Sequence, residues 1–289
     1  MFVTSYSTVT DFLTQTQDIL LEKEANNGLL LGICFRLKTQ PESFPAAPFL
    51  ATVADEQGLI IAACMTPPNF LILYSHRPQE HQPALKAFIE HIQTQHIALP
   101  GCVGPTQVSA DFAHLWQNAT GQTYSISTSE RVFGLTEVTP PAAAPGKLRL
   151  ATVNDYDILL SWYQAFVEEA HSGNPTQVEK VTSQKINNQE MFVWEDALAR
   201  VVSMAAKTRP IINVISIGPV YTPPQERGKG YASNCVAALS QHLLDSGWKT
   251  CSLFTDLSNP TSNSIYQKLG YHPLEDFNEI IFEEEVELA

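Results

Sequence analysis

Residues 213–232, NVISIGPVYTPPQERGKGYA, constrain this chain more than any other stretch. A β-branched apolar run (Val214, Ile215, Ile217, Val220) stops at Pro223-Pro224. Gln225, Arg227, Gly228, Lys229 and Gly230 follow. Then Ala232, Val236, Leu239 and Leu243 recur at the spacing of one helical face. The order is strand, glycine-rich turn, helix. The first N–H groups of such a helix have no intrahelical acceptor and point into the turn. The helix dipole makes that spot favourable for an anion. Glycines let an anion approach the backbone, and Arg227 and Lys229 add charge. The stretch predicts a phosphate cradle.

Spacing decides which kind. A P-loop requires G-x-x-x-x-G-K-[ST], and the chain has no such string. A dinucleotide fold wants a third glycine, but Ser233 follows Gly230 and Tyr231-Ala232. Gln225-Glu226-Arg227-Gly228-Lys229-Gly230 fits [QR]-x-x-G-x-[GA]. With that string the stretch resembles the acyl-CoA loop of the GNAT (GCN5-related N-acetyltransferase) family. Asn259, Tyr266 and Gly270-Tyr271 strengthen the resemblance. The family commonly carries an Asn, a Tyr a few residues on, and a Gly–aromatic pair there. The resemblance covers residues 147–282 and is closest to a bacterial tandem-domain subgroup.

Composition limits the partners. The chain has 289 residues, 44% of them hydrophobic, enough for two cores. Seventeen basic against thirty acidic residues give a net charge of −13. No nucleic-acid partner and no membrane surface are expected, since either wants a basic patch. An acidic protein better suits a cationic small molecule or peptide amine. The five cysteines (Cys34, Cys64, Cys102, Cys235, Cys251) are scattered and never in C-x-x-C spacing. They read as buried free thiols of a reducing compartment. No signal peptide or membrane-length apolar run is read, so a cytoplasmic location is expected. His76, His81, His91 and His96 are read as solvated, because their spacing suits no metal site, and no metal is expected. The sequence leaves the oligomeric state open.

Along the chain, Thr10 or Asp11 is placed to cap a first helix carrying Phe12, Ile19 and Leu20. Residues 29–37 read as a strand. Strands are expected over 49–66 and 69–75, with turns at 55–58 and 67–69, and a helix near 83–97. Residues 110–121 (ADFAHLWQNATG) echo residues 262–270 (SNSIYQKLG), with Leu115-Trp116-Gln117 where Ile265-Tyr266-Gln267 stand. Thr66-Pro67-Pro68 similarly echoes Thr222-Pro223-Pro224. The chain is read as a tandem duplication of one α/β unit. The first copy has no glycine in residues 76–84 and Trp116 in place of a phenol, so it is read as degenerate. Residues 138–146 (VTPPAAAPG) read as the linker. The domains expected are 1–138, the degenerate copy, and 147–289, the catalytic one.

In the second domain, Asn154 or Asp155 is placed to cap a helix that residues 171–175 break. A helix over 178–187, a hairpin around Asp196 and a strand over 250–255 follow. Asn259 with Pro260 reads as a helix start, Gly270 as a helix end, and residues 277–282 as a last strand. The acidic residues Glu283, Glu284, Glu285 and Glu287 read as a solvated end.

The resemblance implies an α/β acyl-CoA N-acyltransferase fold with a mixed sheet, in two tandem copies. It further implies acetyl-CoA as co-substrate and a small-molecule or peptide amine as acceptor. The cofactor would lie where the strand at 214–222 diverges from that at 250–255. Val220, Tyr221 and Thr222 would border its pantetheine arm. Gln225, Arg227, Gly228, Lys229, Gly230, Tyr231 and Ala232 would hold its pyrophosphate. Asn259 and Asn263 would bond the arm, and Tyr266 would protonate the leaving thiolate. Glu195 is a candidate base, with Glu168, Glu169, Asp256 and a water chain as competitors. A non-catalytic acyl-CoA-binding module is the alternative.

Overall fold

Apolar periodicity changes between two and three-to-four residues in the same sequence twice. The computed structural model, which describes residues 1–170 and 175–283, shows the result. The first pass is β1 (Phe2–Ser5), α1 (Val9–Leu21), α2 (Gly28–Thr39), β2 (Phe49–Asp55), β3 (Gly58–Met65), β4 (Leu71–Ser75), α3 (His81–Thr94), β5 (Gly101–Pro105), α4 (Thr106–Thr120) and β6 (Tyr124–Leu135). The second is β7 (Lys147–Leu150), α5 (Tyr156–Ala170), α6 (Val178–Asn187), β8 (Met191–Glu195), β9 (Val201–Thr208), β10 (Val214–Tyr221), α7 (Tyr231–Asp245), β11 (Thr250–Asp256), α8 (Pro260–Lys268) and β12 (His272–Phe282). The element types match one for one, as expected of a tandem pair.

Packing divides the chain into residues 1–132 with 274–283, and residues 133–273. The expected boundary at 138–146 therefore lies inside the second unit, and most of β12 belongs to the first. The reason is apolar burial. Ile280 and Phe282 are fully or almost fully buried in the first core, where Phe282 stacks on Trp116 at 5.7 Å. Residues 277–281 pair antiparallel with β5, and Asp276 accepts two bonds from Arg131 at 2.6 and 2.7 Å.

The first unit has the strand order β1-β2-β3-β4-β5-β12-β6, with β4 and β5 parallel. Helix α1 is capped by Thr8, whose hydroxyl accepts from Asp11 N, rather than by Thr10 or Asp11. Residues 29–37 form helix α2, not a strand. Their buried members are Leu30, Leu31, Gly32, Cys34 and Leu37, and Leu30, Leu31, Cys34 and Leu37 make the i, i+1, i+4, i+7 set of a helical face. The Thr-Pro-Pro echo does not mark equivalent places: residues 66–68 join β3 to β4, whereas residues 222–224 follow β10. His81 is not solvated. It is 1% exposed, and its Nε2 lies 2.7 Å from Asp111 Oδ2.

In the second unit, the order β11-β10-β9-β8-β7 forms the sheet. Val236, Leu239 and Leu243 of α7 are buried with Ile215, Ile217 and Leu253, each such burial contributing about 1.5–3 kcal/mol. Leu159 and Trp162 of α5 pack with Met204 and Tyr221 in a second cluster. Helix α5 is entered through a capping box made by Thr152 and Asp155, so Thr152 holds the cap expected of Asn154 or Asp155. The break expected at 171–175 lies largely outside the described residues, as do Glu284, Glu285 and Glu287. Among the described residues, no helix is long and apolar enough to cross a membrane. All five cysteines are buried and free.

Arg149 on β7 ties this unit's entrance together. It donates to Asp155 at 2.8 and 2.9 Å and to Glu195 at 2.6 Å. The guanidinium, with bonds from Thr152, holds the Asp155 carboxyl down at about 2. A carboxyl depressed in the folded state stabilises the protein above its unfolded pKa of about 4 and loses that contribution as pH falls towards 2. Arg149→Met is expected to cost about 1–3 kcal/mol at neutral pH, since it strands a buried carboxylate. It should also flatten the loss of stability between about pH 4 and 2. Denaturant melts across that range check both.

Candidate active site

Strands β10 and β11 run parallel but do not stay together. They pair at Val214↔Thr250, Ile215↔Cys251 and Ser216↔Ser252. Beyond this, β10 shifts register against β9 between Ile217 and Val220. A Cβ built on Gly218 would meet nothing within 4 Å, so space opens beside the strand there. In the first unit the corresponding strands pair at Leu71↔Cys102 and Ile72↔Val103, and a Cβ on Gly104 of β5 would lie 2.8 Å from Leu73 O of β4.

The cradle sits at the end of β10. Pro224–Glu226 form a 3-10 turn, which leaves Gln225 exposed. Gly228 and Gly230 take φ of +74° and +81°, a left-handed region that costs glycine little and β-branched residues much. Gly230 is the N-cap of α7 and offers no side chain to its amides. The amides at Tyr231 and Ala232 therefore face the turn with no acceptor in their own helix. A Cβ on Gly228 would meet no atom within 4 Å. That is room for an anion at the backbone.

The two cations at the turn are each paired with a carboxylate. Arg227 Nη2 lies 2.7 Å from Glu169 Oε2, and Lys229 Nζ lies 2.9 Å from Glu226 Oε2. Arg227 Nε also donates to Thr222 O at 2.8 Å, and its guanidinium lies 5.5 Å from the Tyr221 ring centroid. Tyr221 is buried and donates to Glu169 at 3.2 Å. Thr222 is buried with its hydroxyl 2.9 Å from that of Ser203. Val220 turns to the opposite face and packs against the α7 cluster.

Helix α8 lies at the end of β11. Asn259 caps it, accepting from Ser262 N at 3.0 Å, so its oxygen is occupied by the helix. Asn263 donates to Asp256 O at 2.9 Å and Asn259 O at 2.8 Å. Its Oδ1 is buried with no hydrogen-bond partner. An orphaned buried carbonyl costs about 1–3 kcal/mol, which an incoming amide donor would remove. Tyr266, one turn on, is half-buried beside Tyr271 with ring centroids 5.9 Å apart. Burial pushes its phenol up to about 12. The equivalent Trp116 of α4 donates instead to Gln122 at 2.8 Å.

Glu195 has a setting unlike that of a base. Arg149 at 2.6 Å and Lys147 at 3.6 Å flank its carboxylate, and these cations, Arg149 first, hold its pKa below the usual range. A carboxylate stabilised as the anion is a poor proton acceptor. Asp256 is occupied by Ser258, which donates from its amide and hydroxyl at 2.7 Å each. Glu168 is exposed on α5. Sequence reasoning missed the linker's place: Asn234 of α7 donates to Ala142 O at 3.0 Å, and Trp194 donates to Pro145 O at 3.2 Å. Residues 142–145 therefore run beside the head of α7. Among the described residues no cluster of three or more His, Cys, Asp or Glu could hold a metal.

Two α/β units, one with a splayed parallel pair above a glycine cradle, define the acyl-CoA N-acyltransferase fold. Comparisons agree. The chain is similar over 98% of its length, and 99% of the other, to an acetyltransferase of the GNAT family from Colwellia psychrerythraea (14% identity, TM-score 0.58). A GCN5-related N-acetyltransferase from Sphaerobacter thermophilus matches 97% of the chain and 95% of its own (14% identity, TM-score 0.63). A tandem GNAT protein from the clavulanic acid biosynthesis pathway, described as without AcCoA, matches 98% of each chain (13% identity, TM-score 0.54). A family model described as FR47-like protein matches residues 201–279. No curated protein matches the chain. Residues 201–279 thus match that family model, and the chain as a whole has the fold of GNAT acetyltransferase structures, a tandem one among them.

Proposed function

We propose that this protein transfers the acetyl group of acetyl-CoA to a primary amine by direct attack. The observation that carries this reading is Tyr266. Its hydroxyl has no hydrogen-bond partner among the described residues, burial keeps it protonated, and it lies one turn from the orphaned Asn263 oxygen. A pure binding module has no use for a protonated phenol at that place.

The chain's residues divide the work. Gly228, Gly230 and the amides of Tyr231 and Ala232 hold the diphosphate, with Gln225, Arg227 and Lys229 around it. Asn263 and the open side of β10 near Val220, Tyr221 and Thr222 take the pantetheine amides. A backbone N–H near Val220 polarises the thioester carbonyl. Tyr266 then gives its proton to the departing sulfur, and the proton that the attacking nitrogen loses passes to solvent through water, which also restores the phenol. A phenol at about 12 would be a weak donor to a solvated thiolate of pKa about 8.5. Dry surroundings raise thiols too: burial pushes Cys235 and Cys251 of this unit up to about 12. A sulfur leaving in surroundings poor in water is raised in the same direction, which narrows the gap between it and the phenol.

Titration with acetyl-CoA, followed by release of free thiol against a panel of primary amines, tests the reading. Binding with amine-dependent turnover is the expected result. Binding without turnover, unchanged in Tyr266→Phe, would leave an acyl-CoA-binding module instead.

A further inference from the structure

Arg227 lies in the cradle sequence, yet its guanidinium is already engaged. It reaches round the end of β10 to Glu169 on α5, with Nη2 at 3.0 and 2.7 Å from the two carboxylate oxygens. Tyr221 donates to the same Glu169 Oε1 at 3.2 Å and presents its ring to the guanidinium. The Arg227 and Glu169 side chains are 47% and 48% exposed. A pair this open to water is held weakly and is easily exchanged. One turn away stands a helix head with unpartnered amides and two glycines. A diphosphate seated there brings more negative charge to Arg227 than one carboxylate does, with donors already aimed at it.

We propose that Glu169 and Arg227 form an exchangeable latch. Diphosphate binding draws Arg227 from Glu169 into the cradle and leaves the carboxylate, still bonded by Tyr221, as an unpaired anion at the end of β10. Glu169 is thus a positioning residue. It competes with the coenzyme for Arg227, and it becomes open to a cationic acceptor only once the coenzyme has bound. The inference rests on the cradle assignment made above.

Calorimetric titration with CoA at low salt tests it on the full chain, as wild type, Glu169→Gln, Arg227→Gln and the double variant, each checked by thermal melting. Glu169→Gln is expected to bind CoA about two- to five-fold tighter, the range released by an exposed ion pair. In the Arg227→Gln background the same change should give no gain. Equal or weaker binding in Glu169→Gln, with wild type still binding, overturns the latch. So does an equal gain in both backgrounds, which would be a general effect of removing negative charge. A wild type that binds no CoA overturns the cradle assignment, and the latch with it.

Discussion

Replacing Gly228 or Gly230 by valine is expected to weaken CoA binding by more than ten-fold. Two effects act together. At φ of +74° and +81° a β-branched residue is strained by about 1–3 kcal/mol, so the turn relaxes and its amides lose their aim. At Gly228 the added carbons also occupy open space where no protein atom lies within 4 Å. That is the space the proposed function gives to the diphosphate. Gly230 is more enclosed, its Cβ falling 3.7 Å from Ala144 and from Asn234. Valine there additionally pushes on residues 142–145. Gly228→Ala, with less bulk and a milder strain, should lie between wild type and Gly228→Val. Isothermal titration with CoA reads the affinity, and melting curves separate lost binding from lost fold. Unchanged affinity in folded samples of both valine variants would refute the phosphate assignment.

The glycine turn onto the head of α7 was legible because its geometry is local. Gln225 to Gly230 stand within six residues, and positive φ at two glycines is what a turn onto a helix head requires. Asn259, Pro260 and Gly270 were legible for the same reason, each acting on backbone within a few residues of itself. What failed depended on distance. The Arg227–Glu169 pair spans 58 residues, and nothing near Arg227 signals that its charge is taken. Glu195 reads as a free carboxylate until β7 is laid beside β8 and Arg149 comes to 2.6 Å. His81 reads as solvated until α4 brings Asp111 against it. The strand expected over residues 29–37 shows a different limit. LLLGICFRL is apolar at nearly every position, so both periods fit and only packing chooses. Nor does an alternating run such as β12 declare which core it fills; its Ile280 and Phe282 complete the first.

Tyr266→Phe is expected to lower kcat by about 10²–10⁴, the range of a positioned general acid, while leaving CoA affinity within two-fold. The substitution removes one oxygen and keeps the ring that packs edge-on against Tyr271. Because that hydroxyl has no hydrogen-bond partner among the described residues, stability should change by less than about 1 kcal/mol. The pH dependence separates a proton donor from a spectator. With the phenol pushed up to about 12, wild type stays protonated across the accessible range, so its kcat should not fall on the alkaline side up to about pH 10. What limits the rate at low pH is then the acceptor ammonium, which must lose a proton before it attacks. Replacing the cysteamine end of the coenzyme by an aminothiophenol, which leaves as a more acidic aryl thiolate, removes most of the need for an acid. Tyr266→Phe should recover most of its lost rate with that substrate. Loss of the same size with both thioesters would mean that the phenol positions the substrate and does not protonate it.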